Sequence, residues 1–277
     1  MVALPSGFNE VFKNGKPIIG MVHLPPLPGA PRYRGMSIEE IVEKAVREAS
    51  KLAEGGVDGL LVENYNDNPY IAIPRDPFLA AIMAVVVREV GKKVNIPVGV
   101  NVLRNGALLA LSAAKAAGGK FIRVNVFTDT VVTDQGIIEP CAAELQRARR
   151  TLDAGDVLIF ADVHVKYSKP LVELSIEEAA RNAAFRGGAD ALILTGRRTG
   201  EEASLEELIA VKKAVPSVPV LLGSGVTAEN VEKFLKVADG AIVGTYFKEG
   251  GVTEAPVDVS RVKRFMERVR RLRRAVV

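Results

Sequence analysis

The sequence contains no tryptophan, and its only cysteine is Cys141. A single cysteine excludes a framework of intrachain disulfides and favours a reducing compartment. No apolar run approaches the about 18 residues that a membrane span needs. Residues 1–16 also lack the basic segment and apolar core of a signal peptide. These absences predict a cytoplasmic protein. Glutamine is scarce beside abundant Glu, Lys and Arg, a balance typical of a thermophilic source.

The net charge of +4 is concentrated at one end of the chain. Residues 261–277 hold eight Lys and Arg against one acid, Glu267, so the rest of the chain is slightly acidic. Because the basicity is confined to this segment, we expect no nucleic-acid partner. Apolar residues recur there at helical spacing, namely Val262, Phe265, Met266, Val269, Leu272 and Val276. This pattern predicts a closing helix whose basic face is either solvated or in peripheral contact with an anionic membrane surface.

Apolar runs alternate with amphipathic segments along all 277 residues, with no linker between them. Eight segments read as strands: 18–24, 59–64, 97–103, 121–126, 157–166, 191–196, 219–225 and 241–246. Eight read as helices: 37–54, 77–90, 106–117, 140–152, 175–185, 205–215, 228–235 and 259–273. This alternation predicts an α/β protein, a (β/α)8 TIM barrel formed by one domain over residues 1–277. An open doubly wound sheet is the alternative, but no Gly-x-Gly-x-x-Gly follows the first strand.

The last two predicted strands both end in small residues. Gly223-Ser224-Gly225 follows one apolar run, and Gly244-Thr245 follows the next. Small residues leave backbone N–H groups accessible, and such groups bind phosphate. In (β/α)8 barrels the common phosphate site is formed after strands seven and eight. We therefore predict that these five residues bind the phosphate of a small ligand.

Polar residues are predicted at the inner, carboxyl-terminal ends of five other strands. On the fifth strand Asp162, His164 and Lys166 alternate with valines, which would place all three on one face. The same reasoning applies to the first four strands. The full set of candidate catalytic residues is His23, Glu63, Asn101, Arg123, Asn125, Asp162, His164 and Lys166.

These residue types allow several chemistries. Asp162 could fix the tautomer of His164 in a general acid/base pair. His23, Glu63, Asp162 and His164 could instead provide imidazole and carboxylate ligands for a divalent metal. Lys166 could form a Schiff base. The sequence leaves these alternatives open.

Several segments resemble the BtpA/SgcQ family. The most specific are residues 16–31 (KPIIGMVHLPPLPGAP) and 59–67 (GLLVENYND), and the similarity extends to 123–125, 161–166 and 222–227. The resemblance covers nearly the whole chain. It implies a barrel related to the phosphate-binding (ribulose-phosphate-type) barrels. For the family's namesake it implies a role in photosystem I biogenesis, and for other members a place in sugar metabolism.

Two functions follow as expectations. The first is an enzyme of isomerase, lyase or hydrolase type that acts on a small phosphorylated metabolite, either a sugar phosphate or a nucleotide-like compound. The second is a non-catalytic biogenesis or stability factor for a membrane complex, docking through its basic last helix. Self-association is compatible with both.

Overall fold

The computed structural model describes residues 6–275. Its strands are β1 (Ile18–His23), β2 (Gly59–Glu63), β3 (Val98–Asn101), β4 (Phe121–Val124), β5 (Val131–Thr133), β6 (Gly136–Ile138), β7 (Leu158–Val163), β8 (Ser168–Pro170), β9 (Ala191–Leu194), β10 (Val220–Leu222) and β11 (Gly240–Val243). Its helices are α1 (Ser6–Val11), α2 (Ile38–Gly55), α3 (Pro77–Lys93), α4 (Ala107–Ala117), α5 (Ala142–Thr151), α6 (Ile176–Arg181), α7 (Leu205–Ala214), α8 (Val231–Leu235) and α9 (Val259–Ala275). A π-helical segment, Asn182–Arg186, continues α6.

All strands except β5, β6 and β8 form a closed parallel barrel in the order β1-β11-β10-β9-β7-β4-β3-β2. The pairing of β1 with both β2 and β11 closes it. The predicted (β/α)8 barrel is therefore confirmed. Each of the eight predicted strands is present, but all eight end one to three residues earlier than expected, because the last residues of the predicted segments belong to loops.

The long helix α2 begins and ends at the residues that its sequence indicates. The Oγ atom of Ser37 accepts a hydrogen bond from the N–H of Glu40, and the Glu40 carboxylate accepts one from the N–H of Ser37. At the other end Gly56 adopts a left-handed conformation with φ of 93°. This capping box and glycine cap satisfy backbone groups that a helix leaves unpaired at its ends.

The amino-terminal end of the barrel is closed by α1, which the sequence pattern did not predict. Phe8 and Phe12 lie against the inward-facing rings of Phe121 and Phe160, with ring centroids 5.7–5.9 Å apart for the Phe8–Phe160 and Phe12–Phe121 pairs. The Phe121 ring occupies the space where a Cβ of residue 99 would lie, which requires glycine there. The amino-terminal half of the barrel, called the lower barrel below, is filled by aromatic and aliphatic side chains. Among residues 6–275, the polar side chains inside the barrel therefore lie toward its carboxyl-terminal end.

The segments after β4 and β7 contain three short strands that the sequence pattern did not predict. They form a three-stranded antiparallel sheet, β6-β5-β8. Val131 and Ile138 of this sheet pack on Val126 and Val165 in a small separate apolar cluster. Each strand has only three residues, which is too short for a period-2 pattern to be recognised.

Helix α9 packs its apolar stripe on the barrel, as predicted. Val262, Phe265, Met266 and Val269 are buried, whereas Val276 lies outside the described residues. Arg273 binds the carboxylate of Asp58 and the backbone carbonyl of Lys16. Within residues 6–275 no helix combines the length and the apolar character that crossing a membrane requires.

Packing of α1 predicts a large stability effect from one substitution. Phe8→Ala should lower the free energy of unfolding by about 3–5 kcal/mol, because it leaves a cavity under the barrel. Phe185→Ala is the matched control, since that ring is 59% exposed, and it should change the value by less than about 1 kcal/mol. Denaturant unfolding measures both. Equal losses of unfolding free energy for the two variants would contradict the conclusion that α1 closes the barrel through Phe8.

Candidate functional site

A pocket of about 220 Å³ opens at the carboxyl-terminal ends of the barrel strands. It collects predicted site residues from six different strand ends, which are far apart in the sequence. The predicted residues that line it are His23, Glu63, Arg123, Lys166, Gly223, Ser224, Gly225, Gly244 and Thr245. The pocket thus brings the predicted phosphate subsite and half of the candidate catalytic residues together.

The predicted phosphate subsite consists of residues 223–225 and 244–245. The N–H of Gly223 is not available to a ligand, because it donates to the carbonyl of Leu194 over 2.8 Å. Among the described residues, the N–H groups of Ser224, Gly225 and Thr245 find no hydrogen-bond acceptor. Three unpaired amides from two neighbouring strand ends at one pocket suit an anionic oxygen ligand.

The Ser224 hydroxyl has a structural role that the sequence did not reveal. Its Oγ accepts from the N–H of Gly196 and donates to the carbonyl of Glu201, so it ties β10 to the loop after β9. Gly225 has φ of 68°, and a Cβ there would lie 2.4 Å from the Glu201 backbone. Glycine is therefore required at 225 both by its conformation and by the close approach of this loop.

Arg261 also lines this pocket, which the sequence analysis missed. Its Nε donates to the carbonyl of Tyr246 over 2.6 Å, and its guanidinium lies 4.6 Å from the centroid of the Tyr246 ring. These contacts hold a positive charge beside the predicted phosphate subsite. In the sequence Arg261 is one of eight basic residues in a terminal segment, and nothing in that pattern separates it from the solvated ones.

A buried ion pair forms the base of the pocket. The guanidinium of Arg123 donates to the Asp162 carboxylate at 3.1–3.2 Å, and Asn125 Nδ2 donates to the same carboxylate over 2.7 Å. All three side chains are nearly inaccessible to solvent. Burial disfavours the charged guanidinium, but Asp162 and Glu63 outweigh it and raise the pKa of Arg123.

This geometry corrects the predicted Asp162–His164 pair. The Asp162 carboxylate is committed to Arg123 and Asn125, and β7 ends at Val163. His164 has φ of 48° and lines a neighbouring pocket beyond Lys166, where its Nε2 is buried and has no partner among the described residues. The predicted alternation fails because the chain leaves the strand direction before residue 164.

Glu63 and His23 lie side by side on β2 and β1. Asn101 Nδ2 donates to Glu63 Oε2 over 2.6 Å, and Glu63 Oε1 is 3.9 Å from His23 Nε2. The imidazole stacks on Tyr65 with centroids 4.3 Å apart, a contact that the sequence analysis missed. Burial, followed by the nearby Lys248 and Lys166, lowers the pKa of His23 to about 3. His23 is therefore a neutral imidazole at physiological pH.

Lys166 projects from the turn after β7 into the same pocket. Burial and the adjacent Arg123 lower the pKa of its amine to about 8. Within residues 6–275 this amine makes no hydrogen bond and no ion pair. The neutral, nucleophilic amine of Lys166 is therefore much more populated near neutral pH than that of an ordinary lysine.

The proposed metal ligands do not assemble. Asp162 binds Arg123, and His164 lies in the other pocket. In the part of the chain that the structure describes, no group of three or more His, Cys, Asp or Glu is placed to hold a metal ion. The residues present thus do not fit the divalent metal that the sequence left open.

Fold and site together define a (β/α)8 barrel with its polar pocket at the carboxyl ends of the strands. Two solved structures share this fold. The N-(5'-phosphoribosyl)anthranilate isomerase of Pyrococcus furiosus matches with a TM-score of 0.54 at 16% identity, covering 92% of this chain and 99% of the isomerase. The N-acetylmannosamine-6-phosphate 2-epimerase of Clostridium perfringens matches with a TM-score of 0.54 at 17% identity, covering 96% of each chain.

The BtpA family model matches residues 14–271, and the chain belongs to the BtpA family. An uncharacterised protein of Pyrococcus furiosus is 49% identical over 249 residues, which cover 90% of this chain and 92% of that protein. The photosystem I biogenesis protein BtpA of Synechocystis is 42% identical over 258 residues, which cover 93% of this chain and 89% of that protein. The resemblance noted in the sequence is confirmed.

The buried ion pair predicts a specific pattern of stability. Arg123→Met should lower the free energy of unfolding by about 3–5 kcal/mol, because it leaves the Asp162 carboxylate buried without its counter-ion. Arg271→Met is the control, since its pair with Glu267 is exposed, and it should cost less than about 1 kcal/mol. Urea titration compares the two variants. A loss for Arg123→Met as small as the control's would show that Asp162 does not depend on this guanidinium.

Proposed function

We propose that this BtpA-family protein is an enzyme that acts on a small phosphorylated metabolite by proton transfer in the barrel pocket. The observation that carries the proposal is the convergence of three unpaired backbone N–H groups with Glu63, His23 and Lys166 in one pocket. A purely structural barrel end has no need for such a combination, because unpaired amides and buried ionisable groups both cost stability.

The phosphate would lie at the N–H groups of Ser224, Gly225 and Thr245. Arg261 would add a charge-assisted contact from the side of α9. The two solved barrels named above are, as their names state, enzymes of phosphorylated compounds, which supports a phosphate ligand here. Both are distant in sequence, so they support the ligand class and no particular reaction.

The size of the pocket favours a sugar phosphate over a nucleotide. Sites for drug-sized ligands typically measure roughly 300–1,000 Å³, and this pocket measures about 220 Å³. A ligand anchored at the phosphate subsite would therefore place its reacting carbons near Glu63 and Lys166. A nucleotide would have to extend into the neighbouring pocket lined by His164 and Arg197.

The remaining groups suit proton transfer. Glu63 is oriented by Asn101 and faces His23, so its carboxylate can accept a proton from a substrate carbon or hydroxyl. Because His23 is neutral, it can donate or accept a hydrogen bond without carrying charge. Arg123 is held by Asp162, whose carboxylate also accepts from Asn125, and it offers a fixed positive charge for a developing oxyanion. These roles fit isomerase, lyase and hydrolase reactions.

Phosphate binding tests this proposal directly. Inorganic phosphate and ribose 5-phosphate should bind with saturation in calorimetric titrations of the wild-type protein. Arg261→Met should weaken both affinities about tenfold, the value of one charge-assisted hydrogen bond.

The matched control is Arg268→Met on the same helix, since Arg268 is exposed and lies outside the pocket. It should leave both affinities unchanged. The absence of saturable binding by the wild type, or equal weakening by the two variants, would contradict the proposed phosphate subsite.

A second candidate function is a stability factor that contacts a membrane complex. The name of the Synechocystis relative and the exposed residues Arg268, Arg270 and Arg274 on α9 favour it. The apolar stripe of α9 is packed on the barrel, so this contact would be electrostatic and not an insertion of the helix.

Vesicle binding tests this candidate. Replacing Arg268, Arg270 and Arg274 by Glu should lower affinity for phosphatidylserine vesicles by two orders of magnitude or more, since each basic residue contributes about 1 kcal/mol. Arg88, Lys92 and Lys93 are exposed on α3. Replacing these three by Glu makes the same charge change on another surface and should have little effect on vesicle affinity. Co-sedimentation measures both. Wild-type protein that fails to sediment with these vesicles would remove the candidate.

A further inference from the structure

Lys166 is held in the pocket by contacts on both sides of it. Arg104 donates to its backbone carbonyl, and the N–H of the next residue, Tyr167, donates to the carbonyl of Arg197. One residue further, β8 begins and pairs with β5. The small sheet and the loop after β9 therefore position the Lys166 backbone, and the amine is the only functional group in this turn that lines the barrel pocket.

The surroundings of the amine do not give it a structural role. The nearest carboxylates already have partners: Asp162 is bound by Arg123, and Glu63 accepts from Asn101. Structural lysines are normally paired when they are buried. Here Lys248 gives the contrast, because it is almost wholly buried and its Nζ binds Glu48 over 2.9 Å. Lys166 has no such partner among the described residues and opens onto the pocket.

We propose that Lys166 is the covalent nucleophile of the site and forms an imine with the aldehyde or ketone carbon of a phosphorylated carbonyl compound. This inference rests on the proposed function, since the phosphate subsite anchors the compound. It assigns the substrate class as a phosphorylated aldose or ketose in its open-chain form, and it assigns bond-making at carbon to Lys166.

The chemistry balances without any oxidant or reductant. The nitrogen lone pair of Lys166 forms a C–N bond to the carbonyl carbon, and the C=O π electrons move to oxygen. The oxygen gains a proton and the nitrogen loses one, which gives a neutral carbinolamine. The C–O bond then breaks with a second proton, and water leaves. Amine, carbonyl compound and one proton thus give a protonated imine and one water. Glu63 is the nearby carboxylate for moving these protons, and Arg123 stabilises the oxygen while it carries charge.

Borohydride trapping tests the proposal. The full-length protein is incubated with glyceraldehyde 3-phosphate, dihydroxyacetone phosphate or ribose 5-phosphate, each beside its unphosphorylated counterpart, and then treated with sodium borohydride. Reduction of an imine adds the mass of the probe, less one water, plus two hydrogens. Peptide mass spectrometry should locate this addition on Lys166, at least tenfold more from a phosphorylated probe than from its counterpart.

Two lysine variants sharpen the result. Lys166→Arg keeps the positive charge and should abolish the adduct while inorganic phosphate still binds. Lys169→Arg changes an exposed lysine of the adjacent strand β8 and should leave the adduct on Lys166 unchanged. Because the pKa of Lys166 is lowered to about 8, adduct formation should decline as the pH falls below that value, where the amine becomes protonated.

The outcomes separate this inference from the proposed function. If phosphate binds with saturation but no phosphorylated probe marks Lys166, the imine is overturned and the phosphate subsite stands. If adducts spread over exposed lysines such as Lys169, without preference for phosphorylated probes, the imine is likewise overturned. If inorganic phosphate does not bind at all, the proposed function fails independently of the trapping result.

Discussion

The ion pair between Arg123 and Asp162 is the constraint on which the site depends. It lies where the aromatic and aliphatic packing of the lower barrel ends and the polar pocket begins. Two opposite charges this deeply buried persist only when their hydrogen bonds are satisfied, and Asn125 completes the carboxylate's set. Because the Asp162 carboxylate balances its charge, the Arg123 guanidinium can remain charged and fixed at the pocket without destabilising the barrel.

The same constraint orders the groups around it. Because the Asp162 carboxylate is bound by Arg123 and Asn125, it does not orient His164. Glu63, His23 and Lys166 are then the ionisable groups available for proton transfer in the pocket. The positive charge of Arg123 disfavours protonation of both His23 and Lys166. Burial is the largest cause for both groups, and for His23 the charges of Lys248 and Lys166 also contribute more than Arg123. The pocket thus combines a neutral imidazole and an amine of lowered pKa with backbone amides that suit an anion.

The barrel itself was predictable because its pattern is repeated eight times. Buried parallel strands give continuous apolar runs, and crossover helices give amphipathic ones, so errors in one segment are outweighed by the others. Small additions to the barrel were not predictable. Helix α1 and the β6-β5-β8 sheet each involve a few residues, and what stabilises them is contact with distant parts of the chain, such as Phe8 with Phe160 and Val131 with Val165.

The sequence by itself determined the fold, the family and which polar residues reach the carboxyl ends of the strands, because strand alternation and chain order suffice for these. Only the tertiary structure decided which contacts each of these residues makes there. After Val163 the chain leaves the barrel, and β8 pairs with β5. Lys166 lines the barrel pocket, whereas His164 does not. Likewise, the packing of α9 brings Arg261 to the pocket that Ser224, Gly225 and Thr245 also line. Such choices depend on contacts between residues far apart in sequence, and a local pattern carries no information about them.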